Sequence, residues 1–504
     1  MSVGSAAGAQ TADVFPAIPE VRAVNGSATV AFHVILDPVT GAPTFSYGAV
    51  AGVVPTIRVQ PGDTIAMTVA NDLPHVRRGP ANDINVHFHG LTVSPQAPGD
   101  APTSVAHAGE TIVYRVRVPR NHEPGLYWYH PHAHGETYRD VTGGMSGAIV
   151  VEGLQRHFPA LAAMRERILV LRDVATGPGG LVDADMPMMA MPGTAAAGTA
   201  GRRTPRRNGD PCRAEPGLQP TLNRQARGRI RIAPGESQFF RVVNAAAARY
   251  FDLSVDGSRL EVLALDGIAR DAYPGTAPAR YVDHLVVPPA GRAEFVVRAP
   301  AHATVLRSAC FDSGAAGDAN PAVILADLAD DSATGIQADG VPSGPEEARI
   351  TAAAAVTPGA ALPDNSYSRP LPRPAAFRRI RFTEDARGFY IGGKTFDMRA
   401  PPSAIARSGT VERWTIENAT DEVHAFHIHQ VHFVVTEAGS DEDERVWRDT
   451  VNVPPQHRSG RAVVPGSVTL LVDFRNPVVR GTFFYHCHIL DHADGGMMAK
   501  IEVR

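Results

Sequence analysis

The stretch HCHILDHADGGMM, residues 486–498, sets a cysteine between two histidines and follows it with His492 and Met497. Thiolate, imidazole and thioether together favour copper over the oxygen-seeking cations. Two His, one Cys and a weak axial Met make a blue-copper electron-transfer site, so Cys487, His492 and Met497 supply all but one ligand of such a centre. Alternate residues of a strand point to opposite faces. His486 and His488 must therefore face away from the Cys487 sulfur, towards other partners.

Three further His-x-His pairs offer those partners: His87 and His89 in NVHFHG, His130 and His132 in YWYHPHAHG, and His427 and His429 in HAFHIHQ. The third segment also carries His424, the ligand missing from the Cys487 centre. Imidazoles two apart on an extended segment share a face and reach neighbouring ions, whereas helical sites need spacings of three or four. One such pair is compatible with an ordinary solvated or hydrogen-bonded histidine. Four pairs, one wrapped around a cysteine, are not a product of core packing.

On these motifs the chain resembles the multicopper oxidases of the laccase-like, bacterial three-domain type, and the resemblance spans nearly its whole length. It implies four copper ions. Type 1 copper falls to His424, Cys487 and His492 with Met497 axial, and type 2 copper to His87 and His427. The type 3 pair falls to His89, His130, His132, His429, His486 and His488. Two positions depart from the family pattern: Ala425 stands where Pro is usual, and Ala493 follows His492 where many relatives carry an acid, with Asp494 next. Neither departure removes a ligand. The implied reaction is one-electron oxidation of phenols or similar small-molecule donors, with electrons entering at the edge of His492 and dioxygen reduced to water at the trinuclear cluster. Oxidation of cuprous ion is a rival reading, and a non-catalytic copper scaffold or electron carrier is a third.

Dioxygen reduction consumes protons, so a carboxylate near the cluster is expected. Asp100, in APGD after HFHG, is the candidate, set against a plain turn residue beside Gly99; Asp494 is a second candidate. His134 continues the alternation of His130 and His132 but is read as a non-ligand, and His432 should face away from His429. Met186, Met188, Met189 and Met191 are either soft ligands for Cu(I) or adaptable apolar packing. The acidic run SDEDE at 440–444 reads as a solvated turn.

The elements that must hold these residues are visible as a repeat. TIRVQPGDTIAMTVAN (56–71), RIRIAPGESQFFRVVNA (229–245) and SAIARSGTVERWTIENA (403–419) each run from alternating apolar residues through a Gly turn to a second alternation ending in Asn. Gly62, Gly235 and Gly409 are 173 and 174 positions apart (235 − 62 and 409 − 235), and each Asn follows its Gly by nine. Period-two alternation recurs at Ile112, Tyr114, Val116 and Val118, and at Val468, Leu470, Val472 and Phe474. Short alternating strands between Gly and Pro turns predict an all-β chain of sandwiches. The resemblance sharpens this to three cupredoxin-like Greek-key β-sandwich domains. The expected limits are a flexible segment at 1–18, domain 1 at 19–155, domain 2 at 156–335, a linker at 336–375 and domain 3 at 376–504. Histidines follow the first and third Asn, but AAAARYFDLSVDG follows Asn244. The metal cluster is therefore expected between domains 1 and 3, with domain 2 as spacer and support. The basic, small-residue stretch 193–211 reads as a surface loop.

Composition sets the remaining bounds. A chain of 504 residues has ample length for several cores, and a formal net charge of -4 gives no footprint for nucleic acid or an anionic membrane. No apolar run is long enough to span a bilayer, and a monomer is expected. Besides Cys487, Cys212 and Cys310 are either bridged or buried as free thiols. The leading MSVGSAAGAQTADVF has neither the basic nor the apolar region of a secretory signal. The resemblance favours a periplasmic or secreted protein, and the cytoplasm stays open.

Overall fold

The computed structural model describes residues 18–48, 50–76, 82–175, 210–213, 218–330, 367–437 and 445–504. The Met186 to Met191 loop, the run 440–444 and most of the 193–211 stretch and the linker lie outside them.

Within the described residues the chain forms three pairs of larger sheets besides two small two-stranded ones, and the repeat seen in the sequence is the spine of each pair. The strands Thr64–Asn71, Ser237–Asn244 and Val411–Asn418 are equivalent. Each pairs in parallel with an earlier strand: Ser27–Leu36, Arg165–Ala175 and Ala376–Asp385. Each also pairs antiparallel with a later one: Thr111–Arg117, Arg292–Arg298 and Gly466–Asp473. Gly62, Gly235 and Gly409 have φ of 102°, 75° and 86°, a left-handed conformation that a Cβ disfavours.

The closing asparagines explain themselves. Asn71 donates from its amide to the carbonyls of Asn82 (2.7 Å) and Ala106 (2.9 Å) and accepts from Leu73 N–H. Asn244 does the same with Arg249, Val287 and Ala246, and Asn418 with Glu422, Val453 and Thr420. Each is fully buried, and each ties the loop after its strand back to the strand's end. An aspartate or leucine there would leave two carbonyls without a donor, at about 1–3 kcal/mol for each group.

Each sandwich has its own core between its two sheets. Phe32, Ile65 and Met67 meet Ile57, Tyr129 and Ile149 in the first. Phe240 and Phe295 meet Phe251, Leu253 and Leu306 in the middle one, and Trp414 and Leu470 meet Phe426, Phe483 and Ile501 in the third. The first and third sandwiches touch through two short helices, Thr137–Thr142 and Leu490–Asp494, with Val141, Ala247 and Leu490 packed where all three sandwiches meet. Cys212 and Cys310 are bridged, with Cα atoms 5.4 Å apart, which resolves the alternative left open by the sequence. Among the described residues no helix is long and apolar enough to cross a membrane.

Candidate metal centres

Strand register delivers the histidines. His87–His89 pairs antiparallel with Gly125–His130, setting His87 opposite His130, and His424–Ile428 pairs with Gly481–Cys487, setting His427 opposite His486. His486, Cys487 and His488 then feed three different clusters, with Cys487 turned to the face opposite its two neighbours as alternation requires. His132, His429 and His486 form one, with Nε2 atoms 3.1 to 3.3 Å apart. His89, His130 and His488 form a second, and His87, His427 and His429 a third. Cys487, His424 and His492 form the fourth: the sulfur lies 3.4 Å from His424 Nδ1 and 3.8 Å from His492 Nδ1, and those two nitrogens are 3.2 Å apart. Met497 is fully buried in the same core as Cys487.

The donor chemistry fits a metal ion. His130, His486 and His427 each donate Nδ1–H to a backbone carbonyl, of Pro131, Cys487 and Asp449 respectively, so Nε2 keeps its lone pair. The Nε2 atoms of His87, His89, His130 and His427 are buried with no hydrogen-bond partner in the protein. Burial, followed in most cases by neighbouring imidazoles, lowers the pKa of His89, His130, His132, His424, His429, His486 and His488 well below the usual value. These rings are neutral at pH 7, the form in which imidazole binds a metal ion. Burial pushes the Cys487 thiol up, so a thiolate there needs a cation beside it.

The carboxylates are equally specific. Asp100 is fully buried; its Oδ2 lies 2.9 Å from His87 Nδ1 and accepts from Gln430 at 2.5 Å, and its Oδ1 accepts from Phe88 N–H. It is no plain turn residue. Asp494 instead accepts from the backbone N–H groups of Gly135 and Tyr138, tying the third sandwich to the start of the helix Thr137–Thr142. Burial pushes its carboxyl to about 7. His134 packs on Phe396 and belongs to none of the four clusters, and His432 turns to Tyr367 and Asp266.

Three neighbours of these clusters belong to no motif in the sequence. Asp449 holds His427, Arg292 holds Asp449, and Glu422 Oε1 stands 3.4 Å from His492 Nε2. Asp449 and Arg292 are charged residues at buried positions of otherwise ordinary strand segments, and an unexpected charge on a core face was the available signal.

Comparison with known proteins decides the family. Residues 49–156 and 368–504 each match a sequence profile described as multicopper oxidase, and between them these carry every histidine and the cysteine of the four clusters. The chain is a multicopper oxidase. As such it is a copper-dependent oxidoreductase that takes electrons from a donor and uses dioxygen. Multicopper oxidase mco of Staphylococcus aureus is 23% identical to this oxidase over 461 residues, 89% of this chain and 81% of that one. MmcO of Mycobacterium tuberculosis is 26% identical over 492 residues, covering 91% and 83%. Among solved structures, a multicopper oxidase from Campylobacter jejuni described as a metallo-oxidase aligns with a TM-score of 0.71 at 22% identity, covering 98% of this chain and 95% of that one. A laccase-like multicopper oxidase from Ochrobactrum aligns at 0.65 and 22%, covering 97% and 100%. These two likenesses establish the fold.

Proposed function

We propose that the oxidase is laccase-like, taking single electrons from phenolic or similar small-molecule donors and reducing dioxygen to water. The observation that supports this most is the strand Gly481–Cys487 and its next residue: three consecutive side chains, His486, Cys487 and His488, serve three adjacent clusters. The ligand reading assigns type 1 copper to His424, Cys487 and His492 with Met497, and type 2 copper to His87 and His427. It assigns the type 3 pair to His89, His130, His132, His429, His486 and His488. When bound, copper supplies one-electron redox chemistry at the first of these centres and four-electron reduction of dioxygen at the others. The chain does the rest. Cys487 and its two neighbours give a path of a few covalent bonds between the centres, and carbonyl acceptors fix the imidazole tautomers. Asp100 is placed to hold or pass a proton at its carboxylate beside His87, and the buried walls restrict water. Residues 19–155, 156–335 and 376–504 are taken as the folding units.

Oxygen uptake by the copper-loaded oxidase on addition of a methoxylated phenol tests this reading. A copper-replete protein with no uptake from any reducing donor would instead be a scaffold or carrier.

A second reading, oxidation of a metal ion such as Cu(I), has its own support. Glu422 Oε1 stands 3.4 Å from His492 Nε2, and burial and then the charges of Glu384, Asp318 and Asp491 raise the pKa of its carboxyl. A cationic donor beside this group of carboxyls would draw the proton off Glu422 and be held by the carboxylate. If this reading holds, Glu422→Gln slows oxidation of Cu(I) far more than oxidation of the phenol; equal effects discard it.

A further inference from the structure

The middle sandwich supplies none of the assigned ligands, yet one of its side chains reaches the histidines. Arg292 opens the strand Arg292–Arg298, and its side chain is fully buried. Nη1 donates to Asp449 Oδ1 at 2.7 Å and Nη2 to Asp449 Oδ2 at 2.5 Å, a planar fork on a carboxylate. Nη2 also donates to the Asp266 carbonyl, and Nη1 lies 3.4 Å from His89 Nδ1. Asp449 in turn accepts His427 Nδ1–H on its backbone oxygen at 2.9 Å. Thr450 Oγ1 donates to Asp449 Oδ1 and stands 3.3 Å from the same His427 nitrogen.

Room for this junction comes from the residue after His89. A Cβ on Gly90 would stand 2.4 Å from Arg292 Nη2 and 2.8 Å from Asp449 Oδ2. One guanidinium therefore joins His89 of the first sandwich, its own strand in the middle one, and Asp449 of the third.

Stability alone does not account for such a pair. Desolvating two charges cancels most of their attraction, and apolar residues of similar volume often do as well or better. What the fork gives is direction.

We propose that Arg292 is a positioning residue for the metal cluster: by gripping Asp449, whose backbone oxygen takes the Nδ1–H of His427, it fixes the His427 ring. The proposal rests on the reading that His427 is a copper ligand. Groups that orient a ligating histidine in this way contribute about 10- to 100-fold to metal affinity.

The test uses copper-loaded wild type, Arg292→Gln, Arg292→Lys and His427→Ala, each exposed to a chelator. Copper retained, the blue band, the paramagnetic resonance of the non-blue copper and the melting temperature are followed. In Arg292→Gln the non-blue copper should leave about 10- to 100-fold faster, with an altered resonance signal and an unchanged blue band. Arg292→Lys, which keeps the charge and loses the fork, should fall between Gln and wild type. Wild-type chelator kinetics and spectrum in Arg292→Gln, with copper lost from His427→Ala, overturn the proposal while leaving the ligand reading intact. Full copper retention by His427→Ala overturns the ligand reading, and the proposal with it. Should Arg292→Gln fail to fold, Arg292→Lys decides: a lowered melting temperature with wild-type kinetics and spectrum makes Arg292 purely structural.

Discussion

His132 Nε2 and His486 Nε2 stand 3.1 Å apart, although 354 positions separate the two residues in the chain. Two neutral imidazoles that present lone pairs to each other repel, and a cation between them turns that repulsion into a bond across the seam of the first and third sandwiches. Metal binding energy contributes to assembly when the site does not exist in the separated parts. Removing copper should lower the melting temperature and speed hydrogen exchange in the helices Thr137–Thr142 and Leu490–Asp494 more than in the middle strand Thr304–Ala309. Loosening confined to that middle strand would contradict a cluster shared across the seam.

Cys487 carries the most exposed spectroscopic consequence. The copper-loaded oxidase should show an intense blue absorption towards the red end of the visible range. Cys487→Ser should abolish it while copper at the histidine clusters is partly kept. A colourless wild type with a full copper complement rules out a thiolate-bound centre.

Met497 separates potential from colour. Loss of a weak axial donor leaves the equatorial ligands in place, so Met497→Leu should raise the reduction potential of the blue centre without bleaching it. Met498→Leu is the control. If that change moves the potential and Met497→Leu does not, the axial residue is misassigned.

His157 governs a stretch of the pH profile. Burial opposes its protonation, but a hydrogen bond to Asp271 and the carboxylate of Glu123, 3.4 Å away, outweigh that and raise its pKa to about 9. The folded value lies above the unfolded one, so its contribution is complete below about pH 6.5 and is lost as pH rises towards 9, on the order of 2–3 kcal/mol. Melting curves of wild type should fall through this window more steeply than those of His157→Asn. Parallel curves would show that the ring carries no such charge.

Much of this was readable before any fold was known, for a physical reason. The His-x-His pairs and the Gly-to-Asn repeat are local patterns in which chemistry and strand periodicity coincide, so Cys487 could be separated from His486 and His488 by parity alone. The placement of Asp100 was also within reach, because it follows its histidine closely. Arg292, Asp449 and Glu422 were not. Each acquires its place only from a partner that folding brings to it: Arg292 from Asp449 at a separation of 157 residues, Asp449 from His427 on a neighbouring strand, and Glu422 from His492. The bridge between Cys212 and Cys310 was open for the same reason, since 98 positions of chain say nothing about a distance of 5.4 Å.

The division of the histidines between residues 87–132 and 424–492 also bears on how such a protein is made. A ribosome delivers His132 292 residues before His424 (424 − 132), so the growing chain carries His87, His89, His130 and His132 with none of the four clusters complete. On the proposed ligand reading, a chain at that stage lacks the set of donors needed to reduce dioxygen. Oxygen chemistry then waits for the third sandwich, and the order of the residues separates synthesis from reaction.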